Sequence, residues 1–187
     1  MKKIILLLLL FNANVISAQE ELTTTTGIIH FEASVPLFEE VKATNNEATC
    51  VINTKTGAIA SIVLIKDFHF KISMMEKHFN ENYMESHSYP KAVFKGNIEG
   101  FNLNIIGTSP KEFKLKGILK LHGKSKKINT VAILRKVDGK LEFISEFNVA
   151  SKDFDVKIPE MLSVKVAETV NIKTLFQLNM PISPNNP

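Results

Sequence analysis

The side chains able to do chemistry in this chain are few and scattered. Five histidines, His30, His69, His78, His87 and His122, are all at least nine residues apart. The nine-residue steps between His69, His78 and His87 fit neither a helical nor a hairpin chelate, so no metal site is read from them. There is no H-E-x-x-H, C-x-x-C or G-x-S-x-G and no glycine-rich phosphate loop, and so no catalytic residue and no cofactor is assigned. The single cysteine, Cys50, sits in an alternating segment, where a thiol is a small buried apolar group. Glu168 is the residue most able to act, because its neighbours at even spacing are apolar. Near the start of its strand it would reach solvent at the rim; held among those neighbours it would instead be a buried carboxylate with a raised pKa, facing a ligand headgroup or paired with a lysine.

Those neighbours belong to a stretch that must position everything else. Val164, Val166, Glu168, Val170, Ile172, Thr174, Phe176, Leu178 and Met180 form one register, seven of nine apolar, while the alternate register is mostly polar. A period of two means a strand with one dry and one wet face. At about 3.3 Å per residue such a strand would run roughly 55 Å if straight, so it must coil around an axis or carry a bulge.

Seven further strands precede it: Gly27–Ala33, Thr49–Asn53, Ala58–Ile65, Ala92–Ile98, Phe113–Gly123, Ile128–Arg135 and Leu141–Val149. Turn chemistry separates them, most clearly at Gly123-Lys124-Ser125 and Asp138-Gly139. One helix interrupts between the third and fourth strands. Ser73 and Glu76 have capping-box spacing, Met75, Phe79 and Tyr83 make an apolar stripe, and Tyr89-Pro90 ends the segment. A second irregular stretch runs from Asp153 to Leu162.

Eight antiparallel strands with one dry face remove their edges by closing, and eight is the number at which a barrel is just filled or holds one small ligand. The fold class is therefore all-β: an extended eight-stranded antiparallel barrel with one short inserted helix. Its outward residues Lys114, Lys116, Lys120, Glu142 and Glu146 exclude a lipid-facing outer wall. The candidate inner wall comprises Phe94, Phe113, Leu115, Leu119, Leu121, Phe143, Phe147, Phe176, Leu178 and Met180. Candidate polar contacts are His78, Ser145, Glu168 and Thr174. Gly96 and Gly117 on the same faces leave volume unfilled, and no tryptophan is present to plug the centre.

The ends and the charge bound the rest. Met1-Lys2-Lys3, the apolar run Ile4–Phe11 and Ile16-Ser17-Ala18 form a secretory signal over residues 1–18, leaving one domain over 19–187. Cys50 is too far from the signal for lipid attachment, so the expectation is a soluble exported protein, periplasmic or secreted. Loss of Lys2 and Lys3 makes the exported chain less basic than the net charge of +4 implies. Residues 111–136 nonetheless hold nine Lys or Arg against Glu112 alone, a solvated face able to touch anionic membrane. Nucleic acid is not an expected partner, because those lysines lack interleaved aromatics for base stacking.

The chain resembles the YceI-like family of exported lipocalin-like barrels. The matching residues are Met74, His78-Phe79, Tyr83-Met84, Ser86, Tyr89-Pro90-Lys91-Ala92 and Phe94-Lys95-Gly96, then Gly117 to Gly123 with Lys126-Lys127, Phe147, Asp153-Phe154 and the strand from Val164 to Phe176. Two features depart from the family form: the first strand, Gly27 to Glu32, lacks the usual aromatic and aspartate ahead of it, and the loop Val35–Glu47 is long. The resemblance implies a lipocalin-like barrel that binds, carries or sequesters a long apolar lipid, a polyisoprenoid or related amphiphile, without catalysis. Two rival readings are an enzyme using Glu168 or His78 on a lipid-like substrate and an interaction protein with a filled barrel.

Overall fold

The computed structural model describes residues 20–180, so the expected signal over 1–18 lies outside the described residues. Nine strands are present: β1 Glu21–Ser34, β2 Lys42–Asn53, β3 Ala58–Leu64, β4 His69–Phe70, β5 Lys91–Ile98, β6 Lys111–Leu121, β7 Lys124–Val137, β8 Lys140–Ala150 and β9 Val166–Asn179. Every pairing is antiparallel. The order runs β1-β9-β8-β7-β6-β5-β3-β2, and β1 pairs with β2 to close the wall. The two-residue β4 is a splint on β2, at Ala43 and Thr44, so eight long strands make the barrel.

Three strands are well longer than the sequence pattern suggests: β7, which gains residues at both ends of Ile128–Arg135, and β1 and β2. β1 begins at Glu21 and β2 at Lys42, which cuts the expected loop from Val35–Glu47 to residues 35–41. The segments added to β1 and β2 escape a period-two search because their inward positions are small or polar: Thr24, Ala43, Asn45 and Ala48 are all buried. Asn45 is kept in place by its amide. Nδ2 donates to the Leu64 carbonyl at 3.2 Å, and Oδ1 accepts from the Glu47 N–H at 2.8 Å. A buried polar side chain is tolerable only with such partners.

Two tight turns shape the hairpins. His122-Gly123 has φ of 47° and 74°, and Asp138-Gly139 has φ of 47° and 73°, the two-residue geometry that matches strand twist. The β6–β7 turn therefore centres one residue before the expected Gly123-Lys124-Ser125. Helix α1 spans Ser73–His78 and continues as a π turn over Phe79–Tyr83. The expected capping box does not form. Ile72 is the N-cap, without a side-chain bond, and Glu76 Oε2 instead accepts from the Phe70 N–H at 3.1 Å, tying the helix to β4.

The barrel has a closed end and an open end. At the closed end Leu22, Ile52, Ile98, Leu134, Leu141 and Leu178 are completely or almost completely buried in one cluster. At the open end stand residues 35–41, the segment 65–90 containing α1, the His122-Gly123 turn, and the β8–β9 connection over 151–165. Outside, the basic 111–136 hairpin is partly neutralised: Lys116 pairs with Glu99 at 2.6 Å, Lys124 with Asp155 at 2.7 Å, Lys126 with Asp153 at 3.2 Å and Arg135 with Glu142 at 2.6 Å.

Candidate functional site

Above the packed closed end the barrel is hollow. A cavity of about 520 Å³ opens towards α1 and the β8–β9 connection. Its volume falls in the range of about 300–1,000 Å³ typical of small-molecule sites. Seven of the ten expected wall residues line it: Phe94, Leu115, Leu119, Leu121, Phe143, Phe147 and Phe176. Three do not, and the expectation for them is corrected. Phe113 and Leu178 are buried in the closed-end cluster, and Met180 packs against that cluster. Their strands enter the barrel at its filled end, so an inward side chain there meets other side chains.

The polar candidates divide as well. Ser145 and Thr174 face the cavity but are already bonded to backbone. Ser145 Oγ donates to the Val131 carbonyl at 2.9 Å, and Thr174 Oγ1 donates to the Ser145 carbonyl at 3.3 Å. Their hydroxyl protons are therefore committed to the strands. His78 lines the mouth beside Met75, Phe79 and Tyr83, the stripe expected on the helix. Glu168 is exposed and lies outside the cavity lining, as the rim reading expects, and the reading of a buried carboxylate facing a ligand is corrected. The cause is a shift of register: β1 pairs Glu32 with Asn171 but Ser34 with Val166, so β9 carries extra residues here and its alternation loses phase. Val166 and Ala167 both line the cavity, while Val164 precedes the strand and is exposed. Glu168 and His78 therefore do not converge on one point.

The glycines behave differently from their sequence reading. Gly96 and Gly117 pair across β5 and β6, but their space is filled by the ring of Phe94. A Cβ at Gly96 would stand 2.9 Å from Phe94 Cζ, and one at Gly27 would stand 2.6 Å from Phe176 Cε1. The missing side chains are thus replaced by two phenylalanine rings, Phe94 over Gly96 of its own strand and Gly117 of the next, and Phe176 over Gly27 of the neighbouring strand.

Much of the mouth is absent from the sequence reading. Phe31, Phe68, Phe70 and Phe79 form one aromatic cluster with centroids 5.1–6.0 Å apart, and Phe31 and Phe79 are stacked at 23°. All four line the cavity, so the π turn is pinned over it by ring packing. Opposite, Phe154 is fully buried among Leu119, Ile128 and Val149, bringing the β8–β9 connection onto the wall. His122 links these parts. Its Nδ1 lies 2.9 Å from the Phe154 carbonyl, its Nε2 lies 3.1 Å from the Glu85 carboxylate, and its ring meets Tyr89 edge-on at 4.4 Å. The Lys124 ammonium beside Asp155 holds that carboxyl below its ordinary range. Among the described residues no group of three or more His, Cys, Asp or Glu is placed to hold a metal.

Comparison with known proteins agrees with this architecture. A family model described as the YceI-like domain matches residues 15–178. The structure is similar to a polyisoprenoid binding domain from Saccharophagus degradans implicated in plant cell wall breakdown, with 12% identity, a TM-score of 0.72, and coverage of 87% of this chain and 99% of that one. It is also similar to Burkholderia cenocepacia BcnA, with 14% identity, a TM-score of 0.66, and coverage of 80% and 94%. The YceI protein of Campylobacter jejuni aligns with 15% identity and a TM-score of 0.58 over 76% of this chain and 88% of that one. No curated protein matches the sequence. A closed eight-stranded barrel, a helix inserted between its third and fourth long strands, and a family match across almost all of the sequence lead to one conclusion: the chain belongs to the YceI-like family.

Proposed function

We propose that this protein binds one long apolar chain, a polyisoprenoid or a related amphiphile, inside the barrel, and sequesters or carries it without chemical change. The observation that carries this reading is the cavity: about 520 Å³, closed at one end and walled by Phe, Leu, Ile and Val side chains. Each 100 Å² of apolar ligand surface removed from water is worth roughly 2.5 kcal/mol. A few hundred Å² therefore offset an association cost of about 4–15 kcal/mol, with no strong polar anchor needed. Ser145 and Thr174 offer no free donor, so the tail occupies the deep part and any headgroup stays near His78 and Tyr83 at the mouth.

Loading takes place at a membrane in this reading. The four most exposed large apolar side chains, Leu37, Met161, Val164 and Met74, lie on the segments bordering the mouth, next to cavity residues such as Phe38, Leu162 and Met75. Lys127 of the basic hairpin lies at the same end and has no ion-pair partner among the described residues. In this reading the activity lies outside the cytoplasm, in the periplasm or beyond, which the signal-like sequence of residues 1–18 supports.

Native mass spectrometry with organic extraction of protein purified from membrane-containing cells tests the proposal. The expected result is a one-to-one adduct with an extractable long-chain lipid. A clean apo mass, together with an unchanged melting temperature when isoprenoids are added, overturns it.

A further inference from the structure

We infer that Phe94 and Phe176 set the depth of the cavity and thereby the length of chain it accepts, an inference that rests on the lipid-binding reading above. The layers along β8 and β9 define where the floor lies. Passing from mouth to closed end, the inward pairs are Val149/Val170, Phe147/Ile172, Ser145/Thr174, Phe143/Phe176 and Leu141/Leu178. The first four layers line the cavity and the fifth does not, so the hollow stops at the level of Phe143 and Phe176. On β5 the deepest lining residue is Phe94, and on β6 the lining ends at Leu115, the partner of Ile98; Ile98 and Phe113 do not line the cavity.

The floor is built by phenylalanine rings filling the space that glycines leave on the same and adjacent strands. Phe176 takes the inward space of Gly27 on β1, and Phe94 takes that of Gly96 and Gly117. Phe176 is braced by Phe143 at 5.7 Å between centroids. Below them the closed-end cluster is dry and close-packed, with no room for a chain to pass. A tail arriving at this level meets mainly ring carbons: the hydroxyls of Ser145 and Thr174 are bonded to backbone, and the one other lining hydroxyl nearby is that of Ser61, paired with Phe94 across β3 and β5. The floor therefore discriminates by length.

The test measures binding of two graded probe series, prenyl alcohols from farnesol to solanesol and straight-chain alcohols of matching lengths, to wild type, Phe94→Ala and Phe176→Ala. Leu121→Ala, near the mouth, serves as control. Wild type is expected to show an affinity maximum at one length. Each floor variant moves that maximum to longer chains, raising affinity for the next longer probe about tenfold relative to wild type. The control weakens all lengths alike. If an alanine variant fails to fold, the Phe94→Leu and Phe176→Leu variants carry the same comparison with a smaller shift. A maximum that stays in place in folded floor variants overturns the inference and leaves the binding function standing. Failure of both series to bind wild type overturns the binding function itself, and this inference with it.

Discussion

His122 Nε2 lies 3.1 Å from the carboxylate of Glu85, across the gap between the β6–β7 turn and the segment that follows the π turn. The other ring nitrogen faces the Phe154 carbonyl at 2.9 Å, so one imidazole touches two of the segments that frame the mouth. Both partners are acceptors, and a neutral ring can donate to only one of them at a time.

Replacing His122 with alanine should therefore loosen the mouth and spare the barrel. With a net value of about 0.5–1.5 kcal/mol per hydrogen bond, and one such bond made at a time by the neutral ring, the expected loss is about 0.5–1.5 kcal/mol. Hydrogen exchange should rise in residues 85–89, 122–123 and 151–156 and stay unchanged in β7 and β8 near Asp138-Gly139. Uniform loss of protection around the barrel would contradict this.

Phe154→Ala should be the costlier change at that end. The ring is 1% exposed and fills the space between Leu119, Ile128 and Val149. Truncating a buried phenylalanine costs about 3–5 kcal/mol. At about 2–4 °C per kcal/mol for a chain of this size, calorimetry should record a fall of roughly 10 °C. A fall under about 2 °C would mean that the β8–β9 connection adds little to the wall.

Acid should detach that connection. The Lys124 ammonium holds the Asp155 carboxyl below its ordinary value of 3.8, so this pair contributes stability above that pH and loses it as pH falls through the lower folded value. Protection factors in residues 151–157, with the intrinsic pH dependence of exchange divided out, should therefore fall below about pH 4. Asp155→Asn should lower them already at neutral pH and remove part of the acid response. An acid response identical in wild type and Asp155→Asn would show that the pair plays no part.

Cys50 should be chemically silent in the native protein. Burial pushes its thiol up from the ordinary range, so the folded state keeps the proton. Stability linked to this group is complete below the unfolded thiol's pKa of about 8.5 and declines as pH rises beyond it. A thiol reagent at pH 8 should label the protein only after denaturation. Rapid stoichiometric labelling of the native protein would refute the burial.

Legibility in the sequence followed chemistry more than length. The walls formed by Leu115, Leu119, Leu121, Phe143, Phe147 and Phe176 are visible because strict alternation puts large apolar residues on one face. The first halves of β1 and β2 are less so, because the inward residues Thr24, Ala43 and Asn45 are small or polar. Glu168 could not be placed, since the shift of β9 against β1 is a tertiary pairing and leaves no local mark. Depth was hidden for a related reason. Phe113 and Phe143 have the same periodic signature, and only the closing of the barrel puts one below the floor and the other at it. The single Phe94 ring lying over Gly96 and Gly117 shows the converse, as two apparent vacancies in the pattern prove to be one socket.

The division into a packed half and a hollow half gives the molecule uneven compressibility. Hydrostatic pressure favours states that eliminate internal voids, and here the void lies above Phe143 and Phe176. Compression should therefore act first on the mouth segments 35–41 and 151–165 and last on the cluster around Leu141 and Leu178. A bound chain would occupy the void and stiffen the upper half, so in this protein occupancy and resistance to pressure are two readings of the same volume.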